Sequence, residues 1–412
     1  MQLCNKQALK AIRFLSRALL IVLLLCQIVL YGFNEYNSDN LYHYQWGLKN
    51  NGNFFVDRGI LANNHTPFYF SKEINDIMFF DDPAVIDYFK TIGNISYTAY
   101  STLGFDINWE EGYKFFKSSP SKRDVVIAVI DTGIDINHYE LYESIWTNKY
   151  EIPNNNIDDD LNGYIDDVYG YNFHHKNGKV FVDPTIDLHG THAAGIMVAK
   201  HDNQGMKGLA YDSSVKIMPL KVLDFNENGY VSSVVSAINY ARENGAKICN
   251  LSLGSYKYEA SIDEAIRNCE DMVFVVSAGN GANFNGYSLD ERDVYPAKLN
   301  YPNVITVSNV CFDGDRYVSA NYGTYVDVFA PGTFILSTIP ANNFAYLTGT
   351  SMAAPFVSAV CAMMYSRFPN VPVSLYKNII INGATPVNSL TGLSKSSGML
   401  NVYNSLVIAS SF

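Results

Sequence analysis

From residue 119 onward the chain alternates short apolar runs with amphipathic ones. "DVVIAVI" (124–130) is a continuous apolar run of buried-strand length, and "VKIMPLKVL" (215–223) repeats it. So do "KICNLSL" (247–253), "MVFVVSA" (272–278) and "VITVSNV" (304–310). Between them "GTHAAGIMVAK" (190–200) reads as a helix rich in small residues. "VSSVVSAINYARENG" (231–245) places Val231, Val234, Val235, Ile238 and Ala241 on one helical face and stops at Gly245. "MAAPFVSAVCAMMYSRF" (352–368) predicts an apolar helix with a proline in its first turn. Buried strands alternating with helices require right-handed crossovers. They predict an α/β fold with a doubly wound, mostly parallel sheet and helices on both faces.

Upstream of residue 119 the pattern is weaker. Residues 34–118 are polar, aromatic and irregular, and read as an N-terminal extension leading into the α/β domain of 119–411. "QWGLKNNG" (45–52) and "DINWEEGYKFF" (106–116) are its better-formed pieces, the second with Asn108 as a capping residue before acidic ones. Residues 1–33 differ again. Lys6, Lys10, Arg13 and Arg17 precede the apolar run "ALLIVLLLCQIVLYGF", and Glu35 and Asp39 follow it. That polarity keeps the N-terminus in the cytoplasm and exports the remainder, so 1–33 is a signal peptide or signal anchor. With no small-x-small cleavage site near its end, an uncleaved anchor helix in the membrane is the favoured form. The expected location is extracytoplasmic, membrane-anchored or secreted.

Composition narrows the function. The chain has 412 residues, 29 Lys+Arg against 40 Asp+Glu, and a net charge of −11. No basic block follows residue 17, which argues against nucleic acid as a partner. Six cysteines show no C-x-x-C spacing and so no structural zinc site; Cys249, Cys269, Cys311 and Cys361 read as small buried hydrophobes.

In a doubly wound sheet, ligands sit beyond the carboxyl ends of the strands. "VVIAVI" exits into Asp131, and "VFVVSA" exits into Gly279 and Asn280. Ser351 opens a helix, where unpaired N–H groups favour a developing anion. "DLHGTHAAG" (187–195) places His189 and His192 three residues apart at another helix start, a spacing that alone suits a metal site or a core equally. Each residue has a dull reading as turn former, cap or core histidine. Together they supply a nucleophile, a base, a carboxylate to orient the base and an amide donor, which acyl transfer requires.

"VVIAVIDTGID", "HGTHAAGIM", "VVSAGN" and "LTGTSMAAPFVSA" are strongly similar to the signature segments of subtilisin-like serine proteases, in the same order. The resemblance covers roughly 119–411, with weaker matches in "QWGLKNNG" and "DINWEEGYKF". It implies a subtilisin-like fold and an acyl-enzyme mechanism. Ser351 would be the nucleophile, His189 the base, Asp131 its orienting carboxylate, and Asn280 with the Ser351 N–H the oxyanion hole. His192 has no role in that pattern and reads as a packing residue. The resemblance also implies that Ser252, Leu253 and Gly254 pair with a protein or peptide substrate bound as an extended strand, while Ser277, Ala278 and Gly279 form the opposite wall of the P1 pocket. Val294 suggests an apolar floor; Asp290, Glu291 and Asp293 nearby would instead favour basic side chains. The apolar preference is the stronger expectation.

Two departures from the family pattern matter. The long interval between Asp131 and His189 contains "NNNIDDDLNGYIDD" (154–167). Asp158, Asp160, Asn162, the Tyr164 carbonyl and Asp166 resemble the first ligands of a calcium loop, although the usual twelfth-position Glu is replaced by Tyr169. A structural Ca²⁺ is expected there. Glu140 lies where many relatives place a ligand of a second ion, without a recognisable partner loop. Secondly, only about ten residues separate the apolar run from "YQWGLKN", where secreted relatives usually carry an inhibitory propeptide; either folding needs none, or residues 53–105 perform an altered version of that task. The leading expectation is an exported serine endopeptidase. The alternatives are a narrow-specificity maturation protease and a catalytically silent, membrane-tethered binding protein on the same fold.

Overall fold

The structure is a computed structural model that describes residues 41–42, 45–50, 102–118, 122–224, 229–281 and 285–412. The predicted anchor helix in 1–33 lies outside the described residues. Among the described residues no helix is long and apolar enough to cross a membrane. Helix α1 (Trp109–Lys117) leads into β1 (Val125–Asp131), β2 (Tyr171–Asn172) and α2 (Leu188–Val198). There follow β3 (Val215–Lys221), α3 (Val231–Glu243), β4 (Ile248–Leu251), α4 (Ala260–Arg267), β5 (Val273–Ser277), β6 (Val304–Val310) and β7 (Val328–Pro331). The hairpin β8 (Ile335–Ile339) and β9 (Asn343–Leu347) precedes the long helix α5 (Thr350–Arg367). The chain ends with α6 (Tyr376–Gly383), β10 (Thr385–Pro386), β11 (Gly398–Met399) and α7 (Val402–Ala409).

Nine strands form one sheet in the order β10-β11-β7-β6-β5-β4-β1-β3-β2. Among the described residues of this sheet, β10 and β11 are the one antiparallel pair; its other pairs are parallel, as the buried-strand pattern predicts. From β1 the chain steps to β3 on one side and then returns to β4 on the other. That reversal opens a crevice beyond the carboxyl ends of β1 and β4, where sheets of this kind bind ligands.

Strand alternation divides the core. Val125, Ile127 and Val129 of β1 join α1, α2, α5, α6 and α7 on one face. Ala128 and Ile130 join α3 and α4 on the other. Helix α5 is buried on nearly every side, which accounts for its lack of a polar face. On α3 the buried set is Ser233, Val234, Ala237, Ile238, Tyr240 and Ala241, a face rotated from the predicted one because Val231 lines the crevice.

The described parts of 34–118 are built into this core. Trp46, Leu48, Ile107, Trp109 and Phe116 all belong to its larger cluster. The Trp46 indole donates to the Thr333 carbonyl at 2.8 Å and the Trp109 indole to Leu209 at 2.9 Å. Asn108 stands at the start of α1 in the left-handed region (φ 54°) and caps nothing with its side chain. Asp106 accepts its N–H at 2.9 Å instead. The last helix closes on the first: Val402 N–H donates to the Ile107 carbonyl at 2.8 Å. Phe115 and Tyr403 meet edge-on with ring centres 6.0 Å apart. Cys249, Cys269, Cys311 and Cys361 are all free thiols.

Candidate active site

Asp131 ends β1 and is 1% exposed. Its Oδ1 accepts from Thr132 N–H at 2.7 Å and from His189 Nδ1 at 2.7 Å. A carboxylate can only accept, so Nδ1 carries the proton and the basic lone pair falls on Nε2 of the neutral ring. His189 comes this close because Gly190 follows it. A Cβ at 190 would stand 2.3 Å from the Gly133 carbonyl oxygen and 3.2 Å from the Asp131 Cβ. Gly190 N–H donates to Thr132 Oγ1 at 3.1 Å, tying the start of α2 to the end of β1.

Ser351 is the second residue of α5, so the predicted helix begins two residues early and Pro355 moves into its second turn. The shift matters chemically. Pro355 has no N–H, so the Ser351 carbonyl lacks its helical donor. Ser252 Oγ takes that place, donating to the Ser351 carbonyl at 3.0 Å. Ser351 Oγ in turn donates to the Ser252 carbonyl at 3.3 Å. Ser358 donates to Asn250 at 2.8 Å and Asn250 donates to Ser252 at 3.0 Å, completing a polar chain between α5 and β4.

Asn280 lies just beyond β5. Its Oδ1 accepts from Thr350 N–H at 3.3 Å, which turns Nδ2 the other way. A Cβ built on Gly349 would lie 3.4 Å from Asn280 Nδ2 and 3.8 Å from Ser351 N. The two candidate oxyanion donors therefore converge on a point that glycine at 349 leaves open. Sequence reasoning passed over Gly349; its place directly before the helix start is the signal that was there to read.

His189, Asn280 and Ser351 line one cleft of about 390 Å³, together with Ser252, Leu253, Gly254, Ser277 and Gly279. Ala278 does not join them. It is fully buried in a small cluster with Val294, because alternation along the strand exit turns it to the opposite side from Ser277 and Gly279. Built Cβ atoms on Gly254 and Gly279 would lie 3.5 and 3.3 Å from Val294 Cγ1, so a slot between two glycines ends on that methyl. None of Asp290, Glu291 and Asp293 lines the cleft; Asp290 accepts from Thr324, and Asp293 pairs with Lys298 at 2.6 Å.

His192 is fully buried. Its Nε2 lies 3.0 Å from the Ile335 carbonyl and 3.2 Å from that of Ala345, so it pins the β8–β9 hairpin to α2. Burial pushes its imidazole down to about 3.

In the acidic loop, ligand atoms of Glu151, Asp158 and Asp160 lie within 4.8 Å of one another. Glu151 is 7% exposed and its Oε2 is buried without a hydrogen-bond partner. Burial raises its carboxyl. Glu151 was absent from the expected ligand set, since it precedes the spaced acidic run by seven residues. Asn162 Oδ1 accepts from Tyr164 N–H at 2.8 Å and its Nδ2 donates to Asp167 at 3.0 Å. Asp166 accepts from the N–H groups of Asn155 and Asn156 and stands outside the cluster. The Tyr164 ring packs against Tyr171 and Tyr240. Glu140 is buried and accepts from Lys200 and Met206 N–H, bracing the loop between them.

The sequence profile of the subtilase family (peptidase S8) matches residues 122–399. Subtilisin-like protease 1 of Plasmodium vivax is 33% identical over 304 residues, 69% of this chain and 47% of that one. Thermophilic serine proteinase from a Bacillus strain is 35% identical over 287 residues, 68% of this chain and 61% of that one. The chain thus spans about half the length of these curated relatives. A cold-adapted subtilisin-like serine proteinase shares the fold with a TM-score of 0.51 at 23% identity, over 68% of this chain and 89% of that one. A protease of Pseudoalteromonas arctica shares it with a TM-score of 0.58 at 24% identity, over 74% and 94%. The family profile runs unbroken from before β1 to β11, across every strand and helix that borders the cleft, and the chain belongs to the subtilase family.

Proposed function

We propose that the protein is a serine endopeptidase that cleaves peptide bonds through an acyl-enzyme. The observation that carries this reading is the 2.7 Å bond between His189 Nδ1 and Asp131 at the edge of the cleft that also holds Ser351 and Asn280. Ser351 Oγ attacks the peptide carbonyl while His189 Nε2 takes its proton. The tetrahedral oxyanion is held by Asn280 Nδ2 and Ser351 N–H, and one such donor is worth about 2.7–4 kcal/mol. His189 returns the proton to the leaving amine, and water then repeats the sequence on the acyl-enzyme. Asp131 keeps the imidazole oriented and stabilises its cation. The substrate lies as an added strand along Ser252–Gly254. The Val294 methyl at the end of the slot, with Asp290, Glu291 and Asp293 outside the lining, favours apolar P1 side chains.

A fluorophosphonate probe tests the reading. It should label the wild type and leave Ser351→Ala unlabelled, and a peptide library should be cut after apolar residues. An unlabelled wild type would leave the silent binding protein as the better account.

We further propose that Glu151, Asp158 and Asp160 hold a structural calcium ion. Hard carboxylate oxygens suit that cation, and the buried, unpartnered Glu151 Oε2 supports a positive charge at this place.

A further inference from the structure

We propose that the buried ion pair Lys221–Asp187 positions the Asp131–His189 couple, a role that rests on the protease reading above. Lys221 ends β3 directly opposite Asp131 in the strand register. Its side chain is 1% exposed and that of Asp187 is 0% exposed, at 2.7 Å separation. An ammonium has three N–H groups, and all three are engaged: with Asp187 Oδ1 at 2.7 Å, with the Leu223 carbonyl at 3.0 Å, and with the Thr132 carbonyl.

Each of those partners belongs to a different piece of the site. Thr132 donates its N–H to Asp131 and accepts from Gly190, the neighbour of His189. Asp187 precedes α2; its Oδ2 accepts from the N–H groups of Val182 and Asp183. Its carbonyl accepts from Thr191 Oγ1 at 2.6 Å, so it is fixed to both the incoming loop and the first turn. Leu223 lines the cleft. One cation therefore joins the strand exit carrying Asp131, the helix entry carrying His189 and the cleft wall. Neither Lys221 nor Asp187 lines the cleft, so both are positioning residues.

Stability does not account for the pair. Taking two charges out of water is costly, and replacing a buried ion pair by uncharged groups of similar volume often leaves stability unchanged or raises it. What uncharged packing would not supply is a three-way, directional link among separate backbone segments.

The test uses the full chain as wild type, Asp187→Asn and Lys221→Met/Asp187→Asn. Melting temperature, kcat and KM on a peptide, and the rate of fluorophosphonate labelling are measured for each. The double variant should fold, keep KM within about twofold, and lose kcat and labelling rate by about 10–100-fold, the scale of a misplacement near 1 Å. If the double variant does not fold, Asp187→Asn carries the test, because Lys221 keeps its two carbonyl partners there; a kcat loss of about tenfold at unchanged KM is expected. A folded variant with wild-type kcat, or one in which only KM changes, overturns the inference. A wild type that the probe does not label overturns the protease reading and this inference with it. A labelled wild type beside an equally fast double variant overturns this inference alone.

Discussion

His189 and His192 stand one turn apart on α2, one at the edge of the cleft and one sealed beneath the β8–β9 hairpin. Burial holds His192 near 3 and His201 near 4, and lowers His138 as well. In the unfolded chain each takes up a proton near pH 6.5, about the ordinary value for histidine. Below that pH the unfolded state binds more protons than the folded state, so stability falls on acidification. Each such group contributes up to about 1.4 kcal/mol per pH unit, down to its folded value. His192→Gln should therefore lower the melting temperature at pH 8, where its two carbonyl contacts are lost. It should also flatten the decline between pH 6.5 and pH 4. An unchanged slope in that window would mean that His192 is not held neutral. The residue-level pattern was legible where chemistry sits at strand exits, as for Asp131 and Asn280. Ala278 and Glu151 were not legible: one depends on which way an exit residue turns, the other on a loop folding back on itself.

At the scale of elements, the junction of β4 with α5 depends on one missing donor. Pro355 removes the N–H that would meet the Ser351 carbonyl, and the Ser252 hydroxyl replaces it at 3.0 Å. Ser252→Ala should cost about 1–3 kcal/mol, the range for an acceptor left unsatisfied. In a Pro355→Ala background the helix regains its own donor, and the same substitution should cost less, leaving only the Asn250 amide without its Ser252 acceptor. Urea unfolding of the four proteins reads this coupling, and simple additivity would refute it. The apolar runs identified α5 and the strands β1, β3, β4, β5 and β6, but the first two residues of α5 carry no hydrophobic signal and its start lies earlier than the pattern suggests. The proline's consequence was invisible for the same reason: its partner, Ser252, lies 99 residues upstream of Ser351.

At the scale of the molecule, the long acidic loop is tied to helix α3 through Asp167. That residue accepts from Asn148 and Asn162 at 3.0 Å each and from the Tyr240 hydroxyl on α3. An ion held by Glu151, Asp158 and Asp160 would bind the folded chain alone, and at ~100-fold excess over its dissociation constant it would contribute ~2.7 kcal/mol. Chelator should lower the melting temperature of the wild type by several degrees and that of Glu151→Gln by much less. Equal melting with and without chelator would remove calcium from this loop. The parallel α/β fold was legible in the periodicity from 119 onward. The inclusion of 45–50 in the core was not, because that stretch contributes single large side chains such as Trp46 and Leu48 rather than a periodic face.

The closure of α7 on α1 bears on when the protein can act. Asp131 and Ser351 leave the ribosome 220 residues apart (351 − 131), an interval of ~10–40 s at ~5–20 residues per second. The helix that packs against Ile107 and Phe115 is made later still. On the protease reading, a nascent chain therefore carries His189 and Asp131 without Ser351 while 162 residues are added (351 − 189). On that reading, hydrolytic capacity is withheld during synthesis by the order of the chain's segments.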